Sequence, residues 1–437
     1  MTARILKVEF RRSTALPLAA LIGGLGAAMM YATLRGWGGR WMTAALWQRE
    51  YLFILLPFGL GAGAWQARRE SLSKVGELFA STARPRWRRV IPTASALGIA
   101  ACVGYLAMFA AAAAQVAGVA TYFTSAIALV VAIGTLAMVT AVWLGFAIGV
   151  LSPSPFTAPV LIVVGLTAFL RLLPGEGKAA PLTLMLSRPS DDFSKISPSV
   201  HIGQFVWLAA LTAAALVLVG ASGPQRRILA AAPTLLGLLA TLTILPGERE
   251  DIAVPDQDAV ALVCTQDEPM ICVSKVHEST LPDVRTPARD ALSVLAAKLP
   301  DGPTSAVEAT VPWQDTRAQS AQPGVLPMDV EVDSRGRLAM TSGELRAQLV
   351  DGAGTRPCAY ILAQPDRNVH VRHHAARTVV GAWLLGAPPP STSGELVLKS
   401  YAALQALSAD EQRSRVVAMR AAAATCDGSD LLDVLAK

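Results

Sequence analysis

Charged side chains are scarce in this sequence. Only 16% of its 437 residues are charged and 53% are hydrophobic, whereas about a quarter of the residues in an average soluble protein carry a charge. This shortage excludes an ordinary soluble protein. It predicts that most of the chain contacts lipid.

A nucleotide-binding motif is also absent. The nearest candidate, residues 175–178, lacks the spacing of a phosphate-binding loop, and Ala179 stands where a Ser or Thr would bind magnesium. We therefore expect a non-catalytic chain that needs no cofactor. Any activity driven by ATP would depend on a separate ATPase.

Seven apolar stretches predict an α-helical polytopic membrane protein. The third and fourth stretches are rich in Ala, Gly and Thr, which lets helices approach closely in lipid. No ionisable side chain lies at the centre of a stretch, which argues against a proton- or ion-coupled carrier. The predicted spans are residues 16–34, 51–65, 91–114, 123–151, 157–172, 205–221 and 229–245.

The distribution of basic residues predicts the orientation of these spans. Residues 1–246 contain 20 Lys and Arg but only 7 Asp and Glu, and basic residues favour cytoplasmic loops. With the N-terminus in the cytoplasm, 13 of the 20 fall in cytoplasmic segments and the others in outside loops. Because these charges flank apolar spans, they do not indicate nucleic-acid binding. We expect a multi-pass cell-membrane protein with a transmembrane domain at 1–246 and an extracytoplasmic domain at 247–437.

The polar loop 67–90 separates the second span from the third. Within it, residues 71–81 predict a short amphipathic helix, which Pro85 ends because proline lacks an amide hydrogen. Basic residues then surround Trp87, as is typical of a cytoplasmic membrane interface. The pattern alone leaves open that this helix lies on lipid headgroups.

This loop resembles that of the ABC-2-type transporter permeases, which are membrane subunits of exporters. The resemblance covers residues 1–221 and rests on the topology and on three segments, Arg-Arg-Glu at 68–70, Glu-Leu-Phe-Ala-Ser at 77–81 and Pro-Arg-Trp-Arg-Arg at 85–89. The seventh span departs from the six that are usual in the family.

The resemblance implies that residues 71–81 form a coupling helix that docks into an ABC ATPase subunit. It also implies a homodimer, or a heterodimer with a related permease. In the loop 173–201 it implies re-entrant helices, for which a solvated loop is the alternative. The implied ATPase-coupling residues are Arg68, Arg69, Glu70, Leu72, Val75, Glu77, Leu78, Phe79, Arg84, Arg86 and Trp87.

The C-terminal domain, residues 247–437, returns to a soluble composition and predicts an α+β fold. We expect strands at 259–263 and 271–273, and a helix that begins at Thr286 and Pro287. Four cysteines suit an oxidising compartment. Of the three possible pairings, Cys264 with Cys272 and Cys358 with Cys426 is preferred, because the first pair brackets a turn. Free thiols in a cytoplasmic domain are the alternative.

Three functions follow from these patterns. The preferred one is the permease subunit of an ABC-2-like exporter, which forms the translocation pathway. The second is a membrane-tethered extracellular binding or scaffold protein whose spans serve only as an anchor. The third is a metallohydrolase that uses His370, His373 and His374, but Val371 replaces the glutamate that a zinc protease needs, so solvated histidines and no metal are favoured.

Overall fold

The computed structural model describes residues 3–72, 86–172, 180–184, 192–221, 223–247, 250–310, 324–358, 361 and 364–437. The chain forms two compact units. The membrane unit comprises Met1–Gly118 with Phe123–Pro255, and the C-terminal unit comprises Val119–Tyr122 with Asp256–Lys437. The boundary between the two units follows Pro255, because residues 253–255 form a strand within the membrane unit.

Helices make up most of the membrane unit. A 3-10 turn, Ala180–Thr183, precedes the only two strands in its described part, β1 (Ser194–Ile196) and β2 (Ala253–Pro255), which pair antiparallel. The helices are α1 (Ala3–Arg12), α2 (Ala15–Ala32), α3 (Leu34–Trp37), α4 (Trp41–Glu50), α5 (Leu52–Leu72), α6 (Arg86–Val116), α7 (Ser125–Leu151), α8 (Thr157–Leu172), α9 (Pro198–Gly220), α10 (Pro224–Ile228) and α11 (Ala231–Ile244).

Each predicted span coincides with one of these helices over most of its length. Of the seven, four are long and apolar enough to cross a membrane among the described residues: Ala15–Ala32, Val90–Val116, Ser125–Leu151 and Pro198–Gly220. Thr157–Arg171 and Ala231–Ile244 are shorter apolar helices. The second predicted span lies in α5. Among the described residues there are thus four candidate spanning helices, and the seven crossings stay a prediction.

The helix of the sixth predicted span begins earlier than the sequence predicts. The predicted span starts at Phe205, whereas α9 starts at Pro198, which occupies the first turn of the helix. Proline suits this position because the first amides of a helix have no partner within the helix. The early turns of α9 carry His201 and Gln204, which are polar, so the apolar stretch in the sequence starts after the helix does.

Helices α5 and α7 pack with their backbones in contact. A Cβ atom added at Gly145 would lie 1.9 Å from the carbonyl oxygen of Leu60, and one at Gly63 would lie 2.1 Å from that of Val142. Both distances are far below a van der Waals contact, so glycine is required at both positions. The prediction that small residues in the fourth span let helices approach closely is confirmed.

Side-chain contacts tie several helix termini together at one end of the membrane unit. The backbone amide of Thr14, which precedes α2, donates to Oε1 of Gln66 near the end of α5 at 3.0 Å. The hydroxyl of Thr93 in α6 donates to Glu9 of α1 at 3.2 Å. The starts of α2 and α6 and the end of α5 therefore lie at the same end.

A second set of contacts ties the opposite termini together. Nη1 of Arg40, just before α4, lies 2.9 Å from Oδ2 of Asp192. The β1 and β2 pair joins the start of α9 to the segment after α11, and Leu46 and Ile127 belong to an apolar cluster with Leu245. The chain therefore brings the outside loops of the predicted topology together at one end of the unit.

The C-terminal unit is built on a mixed four-stranded sheet in the order β3, β4, β5, β6. Strands β3 and β4 form an antiparallel hairpin, and β5 and β6 continue in parallel. The elements are β3 (Leu262–Cys264), β4 (Ile271–Ser274), α12 (Leu281–Lys298), β5 (Ser305–Glu308), β6 (Val325–Met328), α13 (Ser342–Val350), α14 (Arg367–Leu385), α15 (Glu395–Gln405), α16 (Ala409–Thr425) and α17 (Leu431–Ala436). The α+β prediction is confirmed for this region.

Helix α12 begins earlier than its predicted start at Thr286. It starts at Leu281, with Pro282 in its first turn, and Pro287 lies inside it. The sequence contains two successive sites at which a threonine closely precedes a proline, and the earlier one begins the helix. The helix accommodates Pro287 at the loss of one backbone hydrogen bond.

Both predicted disulfides are present. Cys264 and Cys272 lie opposite each other on β3 and β4 and are bonded, and Cys358 is bonded to Cys426. The preferred pairing is therefore confirmed. Cys102 in α6 is free.

We predict that Gly145→Ala destabilises the protein, because its new methyl group would collide with the backbone of α5. The expected loss in the free energy of unfolding is roughly 1–3 kcal/mol. Gly24→Ala is the matched control, since a Cβ there meets no atom within 4 Å, and alanine favours a helix over glycine. Thermal unfolding of both variants in detergent micelles checks this, and equal midpoints would contradict the packing.

Candidate functional site

Five polar side chains are buried together in the membrane unit. We call them the Arg49 cluster: Gln48, Arg49, Tyr105, His201 and Gln204. None of them is more than 6% exposed, and Arg49 is 1% exposed. A buried guanidinium carries a large desolvation cost, so its partners decide what the site can do.

The periodicity of α4 places two members of the cluster. Ala44, Ala45, Gln48 and Arg49 are all buried, and residues four apart lie on the same face of a helix. The apolar face of α4 therefore continues into Gln48 and Arg49, which point into the unit. The sequence predicts a connecting loop at residues 36–49, but in the structure Arg49 lies in helix α4 and its side chain is buried. The recurrence of Ala44 and Ala45 four residues earlier is the signal that could have revealed its burial.

Arg49 and Gln204 hold the turn Ala180–Thr183 and the residue after it. Nε of Arg49 donates to the carbonyl oxygen of Leu184 at 2.9 Å, and Nη2 donates to Oε1 of Gln204. Gln204 in turn donates from Nε2 to the carbonyl oxygen of Pro181 at 2.8 Å. Gln204, which lies in α9, therefore connects Arg49 of α4 to the turn Ala180–Thr183.

Gln48 and Tyr105 form the other side of the cluster. Nε2 of Gln48 donates to the carbonyl oxygen of Tyr105 at 2.8 Å. The phenol ring lies against Gly134 of α7, where an added Cβ would come within 2.3 Å of the hydroxyl oxygen. The positive charge of Arg49 interacts electrostatically with the Tyr105 hydroxyl and with the His201 ring.

Several polar atoms of the cluster have no hydrogen-bond partner among the residues that the structure describes. They are Nη1 of Arg49, Oε1 of Gln48, the hydroxyl of Tyr105 and both ring nitrogens of His201. Among the described residues, no carboxylate pairs with Arg49. The arrangement offers a positive charge and hydrogen-bond donors that the protein itself does not use.

The predicted ATPase-coupling residues are only partly described. The guanidinium carbon of Arg68 lies 5.8 Å from the centre of the Trp65 ring. Nη1 of Arg69 donates to the carbonyl oxygen of Arg12 at 2.6 Å. Four others lie on helices, Glu70 and Leu72 in α5 and Arg86 and Trp87 in α6. The remaining ones, Val75, Glu77, Leu78, Phe79 and Arg84, lie outside the described residues, as does most of the predicted coupling helix.

The histidines near the start of α14 have separate environments. His370 contacts the carbonyl oxygen of Gln364 through Nε2 at 2.8 Å. Burial, aided by the charge of Arg377, lowers the pKa of His373 to about 4, so His373 is neutral at pH 7. In the part of the chain that the structure describes, no three His, Cys, Asp or Glu residues are grouped to hold a metal ion.

His277 and Glu308 form a buried pair of a base and an acid in the C-terminal unit. Nδ1 of His277 lies 2.5 Å from Oε1 of Glu308, and the Ser274 amide and hydroxyl donate to Oε2 at 2.6 and 2.7 Å. The sequence around His277 shows no evident companion for it, because Glu308 lies 31 residues further along the chain and reaches His277 through the parallel pairing of β4 with β5. The pair links these strands to the start of α12.

Comparison of the chain with protein-family models, with curated proteins and with solved structures finds no match.

We predict that Gln204→Leu destabilises the protein, because it removes the acceptor of Nη2 of Arg49 and one of the two hydrogen bonds that the Pro181 carbonyl accepts. Unpairing a buried charged group of this kind costs about 3 kcal/mol. The control is Gln225→Leu at an exposed position in α10, where a surface substitution changes stability by about 0.5 kcal/mol or less. Unfolding midpoints in micelles measure the difference, and a neutral Gln204→Leu would show that Gln204 does not support Arg49.

Proposed function

We propose that the chain is the membrane-spanning permease subunit of an ABC-2-like exporter. In this proposal it forms the translocation pathway, and the loop 67–90 couples it to a separate ATPase subunit. The observation that carries the proposal is this basic, amphipathic loop between α5 and α6, with its resemblance to ABC-2 permeases. The chain itself hydrolyses no ATP.

The contacts at the helix ends support the proposed topology of seven crossings. The N-terminal segment, the end of α5 and the start of α6 share one end of the membrane unit, and all three are rich in basic residues. Basic residues favour the cytoplasmic side. Arg40, Asp192 and the two-stranded sheet share the opposite end, which the proposal places outside the cell.

Two observations support an extracytoplasmic C-terminal domain. Its two disulfides persist in oxidising compartments. In addition, Val119–Tyr122, an outside loop in the proposed topology, belongs to the C-terminal unit, where the Tyr122 hydroxyl donates to Asp256 at 2.8 Å. Both features agree with a domain that follows an odd number of crossings.

A mechanism follows from the way α5 is built. This helix leads directly into the predicted coupling helix, and its backbone touches that of α7 at Gly63 and Gly145. ATP-driven closure of the ATPase subunits pushes on residues 71–81, and α5 carries that push to α7. The helices then switch between inward- and outward-open arrangements. A second copy of the chain or a related permease completes the pathway.

One observation favours a second candidate, a membrane-tethered binding or scaffold protein. The C-terminal unit has its own apolar core, in which Val273 of β4, Leu295 of α12 and Val380 of α14 are fully buried. A domain of this kind can bind a partner without help from the spans. Association with an ATPase separates the two candidates.

We predict that Leu78→Ser combined with Phe79→Ser abolishes co-purification of the ATPase, because the substitution removes the apolar side of the coupling helix. Deletion of residues 71–81 has the same effect. Ile228→Ser combined with Leu229→Ser is the control, since this exposed apolar pair lies in another cytoplasmic turn of the proposed topology, between the sixth and seventh spans.

The measurement is affinity purification from membranes, followed by identification of an ATP-binding cassette protein by mass spectrometry and an assay of ATP hydrolysis. The control variant is expected to retain the complex. A complex that survives deletion of residues 71–81, or a wild-type chain that brings down no such protein, contradicts the exporter proposal and favours the tethered protein.

We predict that a cysteine at position 392 is labelled from outside intact cells and one at position 225 is not. Thr392→Cys tests the C-terminal unit and Gln225→Cys tests α10, since both residues are exposed. A membrane-impermeant maleimide is the probe, in a Cys102→Ser background. Labelling of the Gln225→Cys variant only after lysis is the expected result. The reverse pattern rules out the proposed orientation.

A further inference from the structure

The Arg49 cluster combines one buried positive charge with buried polar groups of α6 and α9. Within the described part of the chain, Nη1 of Arg49 and the Tyr105 hydroxyl have no hydrogen-bond partner, and neither ring nitrogen of His201 has one. Each unpartnered buried polar group destabilises a fold unless something else satisfies it. The cluster therefore calls for a partner that the chain does not supply.

Charge decides the chemistry of that partner. A cation is excluded by the guanidinium, which is fully protonated in proteins, and an apolar group would leave the donors unsatisfied. An oxyanion satisfies both requirements, because its oxygens accept hydrogen bonds from Arg, Tyr and His and its charge offsets that of Arg49. Arginine is also the side chain best suited to bind carboxylate and phosphate oxygens.

We propose that Arg49, Tyr105 and His201 form a buried binding site for an oxyanion, a phosphate or carboxylate group. Arg49 supplies the charge and Nη1, and Tyr105 and His201 each supply one hydrogen. The Leu184 carbonyl, which accepts from Nε of Arg49, covers the site on the side of the turn Ala180–Thr183. The group is carried either by a free solute or by a lipid headgroup.

Two variants separate ligand binding from folding. Tyr105→Phe removes only the hydroxyl, which makes no hydrogen bond within the protein, and keeps the backbone carbonyl that Gln48 uses. Arg49→Gln removes the charge but also the hydrogen bond to Leu184, so it tests the site only if it folds. Arg40→Gln is the control, because Arg40 is an arginine of the same unit that pairs with Asp192 instead.

The experiment measures the thermal unfolding midpoint of the purified full chain in an uncharged detergent. One arm titrates inorganic phosphate at constant ionic strength, balanced with chloride. The other adds phosphatidylglycerol to the micelles, with phosphatidylcholine as the reference lipid. A saturable rise with phosphate identifies a free solute as the source, and a rise with phosphatidylglycerol alone identifies a lipid headgroup.

We expect the wild type and Arg40→Gln to show the rise with the same apparent Kd. Tyr105→Phe is expected to match or exceed the wild-type midpoint without anion and to bind roughly tenfold more weakly, the effect of one hydrogen bond to a charged group. Arg49→Gln, if folded, is expected to show no rise.

Either of two results overturns the site. One is that neither phosphate nor phosphatidylglycerol raises the wild-type midpoint. The other is that Tyr105→Phe binds the anion as tightly as the wild type. The titration uses the chain without an ATPase, so its outcome is independent of whether the chain is an exporter subunit, and failure of one proposal is distinguishable from failure of the other.

Discussion

The membrane unit depends on direct contact between the backbones of α5 and α7. In lipid, apolar side chains gain little by leaving their surroundings for one another, so helices associate through close packing. Gly63 and Gly145 provide it, because each leaves space that the carbonyl of the facing helix occupies. α6 approaches α2 in the same way at Gly104, where a Cβ would lie 2.8 Å from the Ala19 carbonyl oxygen.

This close packing explains how the unit can contain a buried guanidinium. Arg49 lies at the end of α4, where the turn Ala180–Thr183 and α9 provide acceptors through Leu184 and Gln204. Those two hydrogen bonds satisfy part of the side chain and leave Nη1 unused. The packing of the helices thus holds the Arg49 guanidinium at a position where its own hydrogen bonds do not use all of its donors.

The parts of the fold that could be predicted from the sequence are those that depend on neighbouring residues. Apolar stretches predicted the positions of the helices, and the short separation of Cys264 from Cys272 indicated a hairpin disulfide. The failures involve partners that are distant in sequence. Arg49 is buried because Gln204 and Leu184 reach it, and His277 has a partner because β4 pairs with β5. Neither contact can be recognised from a local sequence pattern. The burial of Arg49 itself could have been recognised, because Ala44 and Ala45 precede Gln48 and Arg49 by four residues and lie on the same face of the helix.

The position of α5 links the two proposals physically. Helix α5 begins directly after Tyr51, and Arg49 lies two residues before Tyr51 in the sequence. The Tyr51 hydroxyl lies 2.7 Å from the hydroxyl of Thr33. The last turn of α5 leads into residues 73–85, where the ATPase would act. A helix transmits displacement along its axis because its hydrogen bonds resist extension, so a push at residue 72 reaches the start of α5, which follows α4 and Arg49 in the chain. If the chain is a permease driven by ATP, a displacement of Arg49 relative to Leu184 and Gln204 would change the affinity of the site for an oxyanion between the two states.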